Sequence, residues 1–130
     1  MSIEEYFGDW SKVIDLNEAD RILRRLYSMP QPSCPQLKDI FKAFTLCPLR
    51  DLRVVLIGQD PYPQKGIATG LAFANSPDTL EDSYSPSLEI LKESVIDFTL
   101  PHRAIIFDPS REKWEEQGVL LLNSALSCQQ

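Results

Sequence analysis

The sequence predicts an α/β fold, a three-layer sandwich in which a central, mostly parallel sheet is flanked by helices. Three observations carry this. Arg53-Val54-Val55-Leu56-Ile57, Arg103-Ala104-Ile105-Ile106-Phe107 and Val119-Leu120-Leu121-Leu122 are continuous apolar, β-rich runs, the pattern of interior strands buried on both faces. Segments of helical period lie between them, and a strand–helix–strand order demands crossover connections and a parallel sheet. The 130 residues are 43% hydrophobic and 25% charged, enough for one core and ordinary for a globular domain. One domain over residues 1–130 is expected, with a helical layer over about 1–50 and the parallel α/β part over about 51–130.

The elements follow in chain order. Ser2 and Glu5 form a capping box pattern. Behind it Ile3, Tyr6, Phe7, Trp10 and Val13 recur at helical spacing, so one face of a first helix is apolar. Asn17 is the expected cap of a second helix carrying Ile22, Leu23, Leu26 and Tyr27, which Met29-Pro30-Gln31-Pro32-Ser33-Cys34-Pro35 breaks. Ser33 and Pro35 are start signals for a third, with Leu37, Ile40, Phe41 and Phe44 on one side. After the first strand, Leu71-Ala72-Phe73-Ala74 reads as a short strand or extended piece. Ser85-Pro86 opens a helix through Leu88, Leu91, Val95 and Ile96. Ser110 caps a short helix holding Trp114, and Gly118 ends it. Trp10 and Trp114 are expected to be core packing.

Charge and cysteine usage exclude several function classes. With 13 Lys+Arg against 19 Asp+Glu the net charge is -6, which excludes a generally basic, tail-driven nucleic-acid binder but not a protein with one favourable face. The charge is uneven: Arg21 to Lys65 holds eight basic and three acidic residues, and Gly66 to Leu100 one basic and six acidic. Arg21, Arg24 and Arg25 fit an exposed helix side. Cys34, Cys47 and Cys128 cannot all pair within one chain, and His102 is the single histidine. A closed zinc site or a four-cysteine cluster is excluded, and reduced thiols in a cytoplasmic protein are expected. No metal or organic cofactor is expected. The acidic start Met1-Ser2-Ile3-Glu4-Glu5 has no apolar stretch behind it, and the longest apolar runs are too short to span a bilayer, so neither a signal peptide nor a membrane partner is expected.

In open parallel sheets, ligands bind beyond the carboxyl ends of the strands. Gly58-Gln59-Asp60-Pro61-Tyr62-Pro63 leaves one oily strand there, and Asn123-Ser124 leaves another. If the two are neighbours, Asp60 and Asn123 face a common crevice. The prolines stiffen the first loop, and stiffness suits preorganised electrostatics. Taken singly, Asp60 also reads as a turn residue capping backbone amides, and Asn123 as a strand-end residue with a local hydrogen bond. His102, just ahead of the Arg103–Phe107 run, belongs at the opposite edge of the expected sheet and reads as a helix-end or surface residue.

Gly58-Gln59-Asp60-Pro61-Tyr62, directly after an apolar strand, resembles the water-activating motif of family 1 uracil-DNA glycosylases. Gln36-Leu37-Lys38-Asp39-Ile40-Phe41-Lys42-Ala43-Phe44 looks like the helix before that strand in the family. Gly70-Leu71-Ala72-Phe73 resembles its base-stacking segment and Ser85-Pro86-Ser87-Leu88 its DNA-contact loop. Trp114 through Asn123 looks like the segment ending in the uracil-reading Asn. All occur in family order from about Pro35 onward. The resemblance implies excision of flipped-out uracil from DNA, single- or double-stranded, in base-excision repair. Asp60 would be the catalytic residue, stabilising an oxocarbenium-like sugar and orienting water. The base pocket would be Gln59 through its backbone, Tyr62 beside C5, Phe73 stacked on the ring and Asn123 pairing with N3–H and O4. Ser87 would contact the DNA backbone, or else be only a first-turn helix residue.

Two departures shape the expectation. Position 63 is Pro where family members usually carry His, and the family's His-Pro-Ser segment does not occur in these 130 residues. The resemblance therefore implies a C-terminally shortened homologue or a fragment, its fold incomplete at the C-terminus and its activity weak or absent. An exposed sheet edge would then invite self-association. The alternative is a non-catalytic remnant of the same fold that binds a nucleobase or a protein. A generic nucleotide-binding domain is the weaker third reading, since neither G-x-G-x-x-G nor a P-loop occurs.

Overall fold

The computed structural model describes residues 1–97 and 107–129. The expected strand over Arg103–Phe107 falls largely outside them, as does His102. The described helices are α1 (Ile3–Phe7), α2 (Leu16–Tyr27), α3 (Lys42–Leu46), α4 (Pro86–Asp97) and α5 (Glu112–Glu115). The strands are β1 (Ser33–Cys34), β2 (Val54–Gly58), β3 (Val119–Asn123) and β4 (Cys128–Gln129). β2 and β3 run parallel, in register from Val54 opposite Val119 to Gly58 opposite Asn123, so the α/β class stands. β1 and β4 form a separate antiparallel pair, with Ser33 opposite Gln129 and Cys34 opposite Cys128.

Local chemistry explains where the elements stop. Ser2 and Glu5 do form a reciprocal capping box. The first helix nevertheless ends early: Gly8 takes φ 54°, and the chain continues as a 3-10 turn over Gly8–Lys12. Glycine enters that conformation at little cost. Val13, expected on the apolar face, is thereby left 64% exposed. The cap of α2 is Asp15, not Asn17, and its carboxylate accepts from the Asn17 and Glu18 amides. Arg21 and Arg24 on that helix pair with Glu18 and Asp20 at exposed positions. The expected third helix is divided into a 3-10 turn over Leu37–Asp39 and α3, while Ser33 belongs to β1. Arg111, in the left-handed region at φ 58°, precedes α5, and Ser110 Oγ accepts from the Glu112 amide at 3.4 Å.

One apolar cluster joins the helices to the sheet. Phe7 meets Phe41 and Phe44 at ring separations of 5.1 and 5.8 Å, and Trp10 meets Phe44 edge-on at 5.2 Å. Such pairs add about 0.5–1.5 kcal/mol each beyond their area burial. Trp10 donates its indole N–H to the Cys47 carbonyl at 2.7 Å. Ala72, Leu120 and Leu121 close the cluster from the sheet side, and Trp114 packs against it half-buried.

Two long-range anchors set the entry and height of β2. Asp9 accepts from the Leu49 and Arg50 amides at 3.0 and 2.9 Å, supplying partners for the turn that leads into the strand. These bonds, with that to Arg50 foremost, hold its carboxyl below the usual carboxylate range. At the other side the Gly118 carbonyl accepts from Arg53 and Val54 at 2.8 and 3.0 Å. Gly118 has φ 90°, and a Cβ there would strike the Asp51 carbonyl.

Two strand expectations need correction. Val54, Val55 and Ile57 are 48%, 46% and 58% exposed, so β2 is not covered on both faces. Leu71–Ala74 is no strand. Its Ala72 amide donates to the Leu121 carbonyl at 3.0 Å, but Phe73 turns to φ 59° and ends any extended run. Among the described residues no helix is long and apolar enough to cross a membrane.

Candidate active site

Gly58 and Asn123 stand opposite each other at the carboxyl tips of β2 and β3. The loop after β2 and the segment after β3 leave from the same place, and a cleft of about 250 Å³ opens between them. Gln59, Asp60, Tyr62, Phe73, Ser87 and Asn123 all line it. All six site residues expected from the sequence therefore share one cavity. Asn123 lies at its floor, 9% exposed, whereas Asp60, Gln59 and Ser87 are exposed at its mouth. Tyr62 and Phe73 are half-buried on its walls.

Backbone bonds lock the two tips together. The Gly58 carbonyl accepts from the Ser124 amide at 2.9 Å, and the Gln59 carbonyl from the Ala125 amide at 2.9 Å and from Ser124 Oγ at 2.8 Å. With its carbonyl so engaged, Gln59 has its amide and side chain left to offer to the cleft. The same loop is tied from below: Cys34 Sγ donates to the Pro63 carbonyl at 3.6 Å, and Cys128 Sγ to the Pro61 carbonyl at 3.5 Å. A loop held at both sides, with prolines at 61 and 63, keeps Asp60 and Tyr62 in one arrangement.

Three backbone positions make the cleft possible. A Cβ on Gly58 would collide with Asn123 Oδ1, so the glycine is what lets the amide lie over the strand tip. Gly70, at φ 90°, lies against the Asp39 carbonyl with no room for a side chain, which brings the Leu71–Ala74 segment onto the helical layer. Phe73 holds φ 59°, an outlier for a bulky residue that costs on the order of 1–3 kcal/mol. Its neighbours Ala72 and Ala74 are fully buried, and their packing sustains the strain.

The electrostatics are simple. Asp60 is the one carboxylate among the described residues lining the cleft, and no Lys, Arg or His is among them. An acid without a cationic partner in the same cavity is available to a positively charged group brought in from outside. The adjoining hollow shares Ala68 with the cleft and is lined by Lys38, Lys42 and Lys65 together with Asp39; Lys42 is paired with Glu112 at 2.6 Å. Below the site, Glu115 is buried at 0% exposure, with Oε1 accepting from the Leu121 amide at 2.7 Å. Burial pushes its carboxyl up to about 7, against the opposing effect of that bond. Among the described residues no group of His, Cys, Asp and Glu side chains is placed to hold a metal ion.

Sequence reasoning missed the residues that build the cleft rather than line its reactive face. Gly58 and Ser124 sit in the polar tip segments, yet their roles depend on a register that only the paired strands display. Cys34 and Cys128 meet across 94 positions of chain, and nothing in their spacing signals it.

Comparison with known proteins gives a consistent result. A family model described as the uracil DNA glycosylase superfamily matches residues 44–129. The uracil-DNA glycosylase of Aliivibrio fischeri is 38% identical over 97 residues, which are 74% of this chain and 41% of that protein. That of Aliarcobacter butzleri is 40% identical over 96 residues, 74% of this chain and 43% of that protein. The chain thus spans about 40% of the length of these curated relatives. Among solved structures, mimivirus uracil-DNA glycosylase superposes with a TM-score of 0.72 at 21% identity, covering 98% of this chain and 47% of that one. The wild-type UNG of Nitratifractor salsuginis gives 0.71 at 22% identity, covering 98% and 64%.

Proposed function

The chain belongs to the uracil DNA glycosylase superfamily, and from that premise we propose that its cleft receives a uracil flipped out of DNA and that Asp60 promotes hydrolysis of the bond between base and sugar. The observation that carries this reading is the meeting of Asp60 and Asn123 in one cleft with Tyr62 and Phe73.

Each role is the one that the family resemblance implies, and each has a chemical reason. As the glycosidic bond lengthens, positive charge gathers on the sugar as in an oxocarbenium ion. Asp60 stabilises that charge and orients the attacking water. Negative charge gathers on the departing base, and the Gln59 amide meets its carbonyl. The Asn123 carboxamide accepts from N3–H and donates to O4, a pattern that cytosine reverses. Tyr62 occupies the space beside C5 and excludes the thymine methyl, which demands the rigidity that the tethered loop supplies. The Phe73 ring stacks on the base. Ser87 holds a phosphate, and Lys38 and Lys65 in the adjoining hollow lend the strand positive charge.

The test is single-turnover reaction with single-stranded DNA carrying one uracil. Slow formation of abasic product is expected, slower still by at least about 10²–10³-fold in Asp60→Asn, the usual loss for one preorganised charge stabiliser. A rate equal in the two proteins would overturn the assignment of Asp60. A second reading, a nucleobase-binding module without turnover, is favoured by Pro63, which lines the cleft with a ring that has no proton to give. Uracil binding with no abasic product would select it.

Self-association is a further part of the proposal. Val54, Val55 and Ile57 of β2 leave apolar surface in contact with water, the kind of strand that recruits a second chain. Light scattering should show mass rising with concentration, and a constant monomer mass would refute it.

A further inference from the structure

Cys34 and Cys128 lie directly opposite each other in the β1–β4 pair. In an antiparallel ladder, opposed residues have Cα atoms about 4.5–5.5 Å apart, inside the window of about 4.4–6.8 Å that a disulfide requires. As directly opposed residues of an antiparallel pair, the two side chains lie on the same face of it. Both are also bonded to the site loop, Cys34 to the Pro63 carbonyl and Cys128 to the Pro61 carbonyl. Cys34 is buried at 2% exposure and Cys128 is half-buried, so a small reagent reaches the second and not the first.

We infer that Cys34 and Cys128 are a thiol–disulfide modification site whose oxidation by a small-molecule disulfide releases the loop bearing Asp60 and Tyr62. The chemistry balances in two exchanges. The Cys128 thiolate attacks the reagent disulfide, forming a mixed disulfide and expelling one thiolate. The Cys34 thiolate then attacks Cys128 Sγ, forming the protein disulfide and expelling the second thiolate. The reagent is reduced to two thiols, which take up the two protons the cysteines gave up. Those protons are the ones donated to the Pro61 and Pro63 carbonyls. Joining the sulfurs therefore removes both tethers at once, on either side of Tyr62. Burial foremost, then Cys34 and Asp60 nearby, raises the Cys128 thiol, so the reaction quickens with rising pH. Cys47 is an internal control: it is fully buried, and burial pushes its thiol up to about 11.

The modification site stands independently of uracil excision. Only its effect on that chemistry rests on the function proposed above. The experiment treats the full chain with oxidised glutathione at pH 8.5, then denatures, alkylates and maps it without reductant. Expected are a peptide linking Cys34 to Cys128, alkylation at Cys47 alone, and no linked peptide in Cys128→Ser or Cys34→Ser. Cys128→Ser, at the half-exposed position, keeps the test valid if Cys34→Ser misfolds. A stable glutathione adduct on Cys128, a disulfide between chains, or three alkylated cysteines would each overturn the site. Loop release is read separately by hydrogen exchange at the Gln59, Asp60, Tyr62 and Gln64 amides. Exchange at least about fivefold faster in the oxidised chain is expected, since the loss of even one ordinary hydrogen bond has that effect, reversed by reductant. Unchanged exchange would overturn the release while leaving the disulfide established.

Discussion

The two strand pairs of this molecule do opposite jobs with opposite means. β2 and β3 share five register positions, and β3 sends Leu120 and Leu121 into the core. That pair generates a direction, and the polar residues at its tips inherit it. β1 and β4 share only two positions, and their two thiols bond to the site loop. The contrast teaches that aiming a side chain takes a buried scaffold, whereas restraining the loop that bears it takes a few local contacts.

The sharpest way to break the contrast is to damage the scaffold. Leu121→Ala removes a fully buried side chain from β3 and should cost about 3–5 kcal/mol. Thermal unfolding followed by circular dichroism checks it, and a loss under 1 kcal/mol would mean that β3 is not the support described. The next effect is acid–base. Glu115 holds the Leu121 amide, and its carboxyl is raised to about 7. The native state therefore binds a proton that the unfolded chain releases near pH 4.5. Stability from this group is complete below that pH and is lost as pH rises through 7, by up to about 3 kcal/mol. Glu115→Gln keeps an acceptor for Leu121 and should flatten that part of the pH–stability curve. A wild-type curve that stays level from pH 4.5 to 7.5 would contradict the burial argument.

Smaller effects test the other side of the contrast. Gly58→Ala should weaken uracil binding by at least tenfold, since the new methyl displaces the Asn123 amide, and equilibrium dialysis measures it. The methyl would also press on the buried Ala72 side chain, so the melting temperature is measured beside it. At the bottom of the scale, Ser33→Ala in β1 gives up one 3.2 Å bond to the Pro35 carbonyl and should cost under about 1 kcal/mol. A cost as large as that of Leu121→Ala would make the short pair a second scaffold.

Legibility in the sequence follows the same division. Val54–Ile57 and Val119–Leu122 are runs whose hydrophobicity alone declares a strand, and the residues just past them declare the site edge. Their exposure was not legible, because it depends on what packs beside a strand rather than on what the strand contains. β1 and β4 carry no periodicity, being two residues each, and Pro32 and Pro35 around the first read as breakers. The break at Gly8 and the cap at Asp15 turn on single backbone angles and side-chain reach that periodicity does not encode. At the site, Asp60, Tyr62, Phe73 and Asn123 were visible as a motif, while Gly58 and Ser124 matter through contacts made only after the strands align.

Phe73 sets backbone relaxation against ring packing at one residue. Glycine there would relax into φ 59° and recover on the order of 1 kcal/mol. It would also give up the packing of a half-buried ring against the core, worth about as much or more, and strip the cleft of its aromatic wall. Variants at position 73 should therefore be scored for ligand retention as well as melting point, because one side chain serves both.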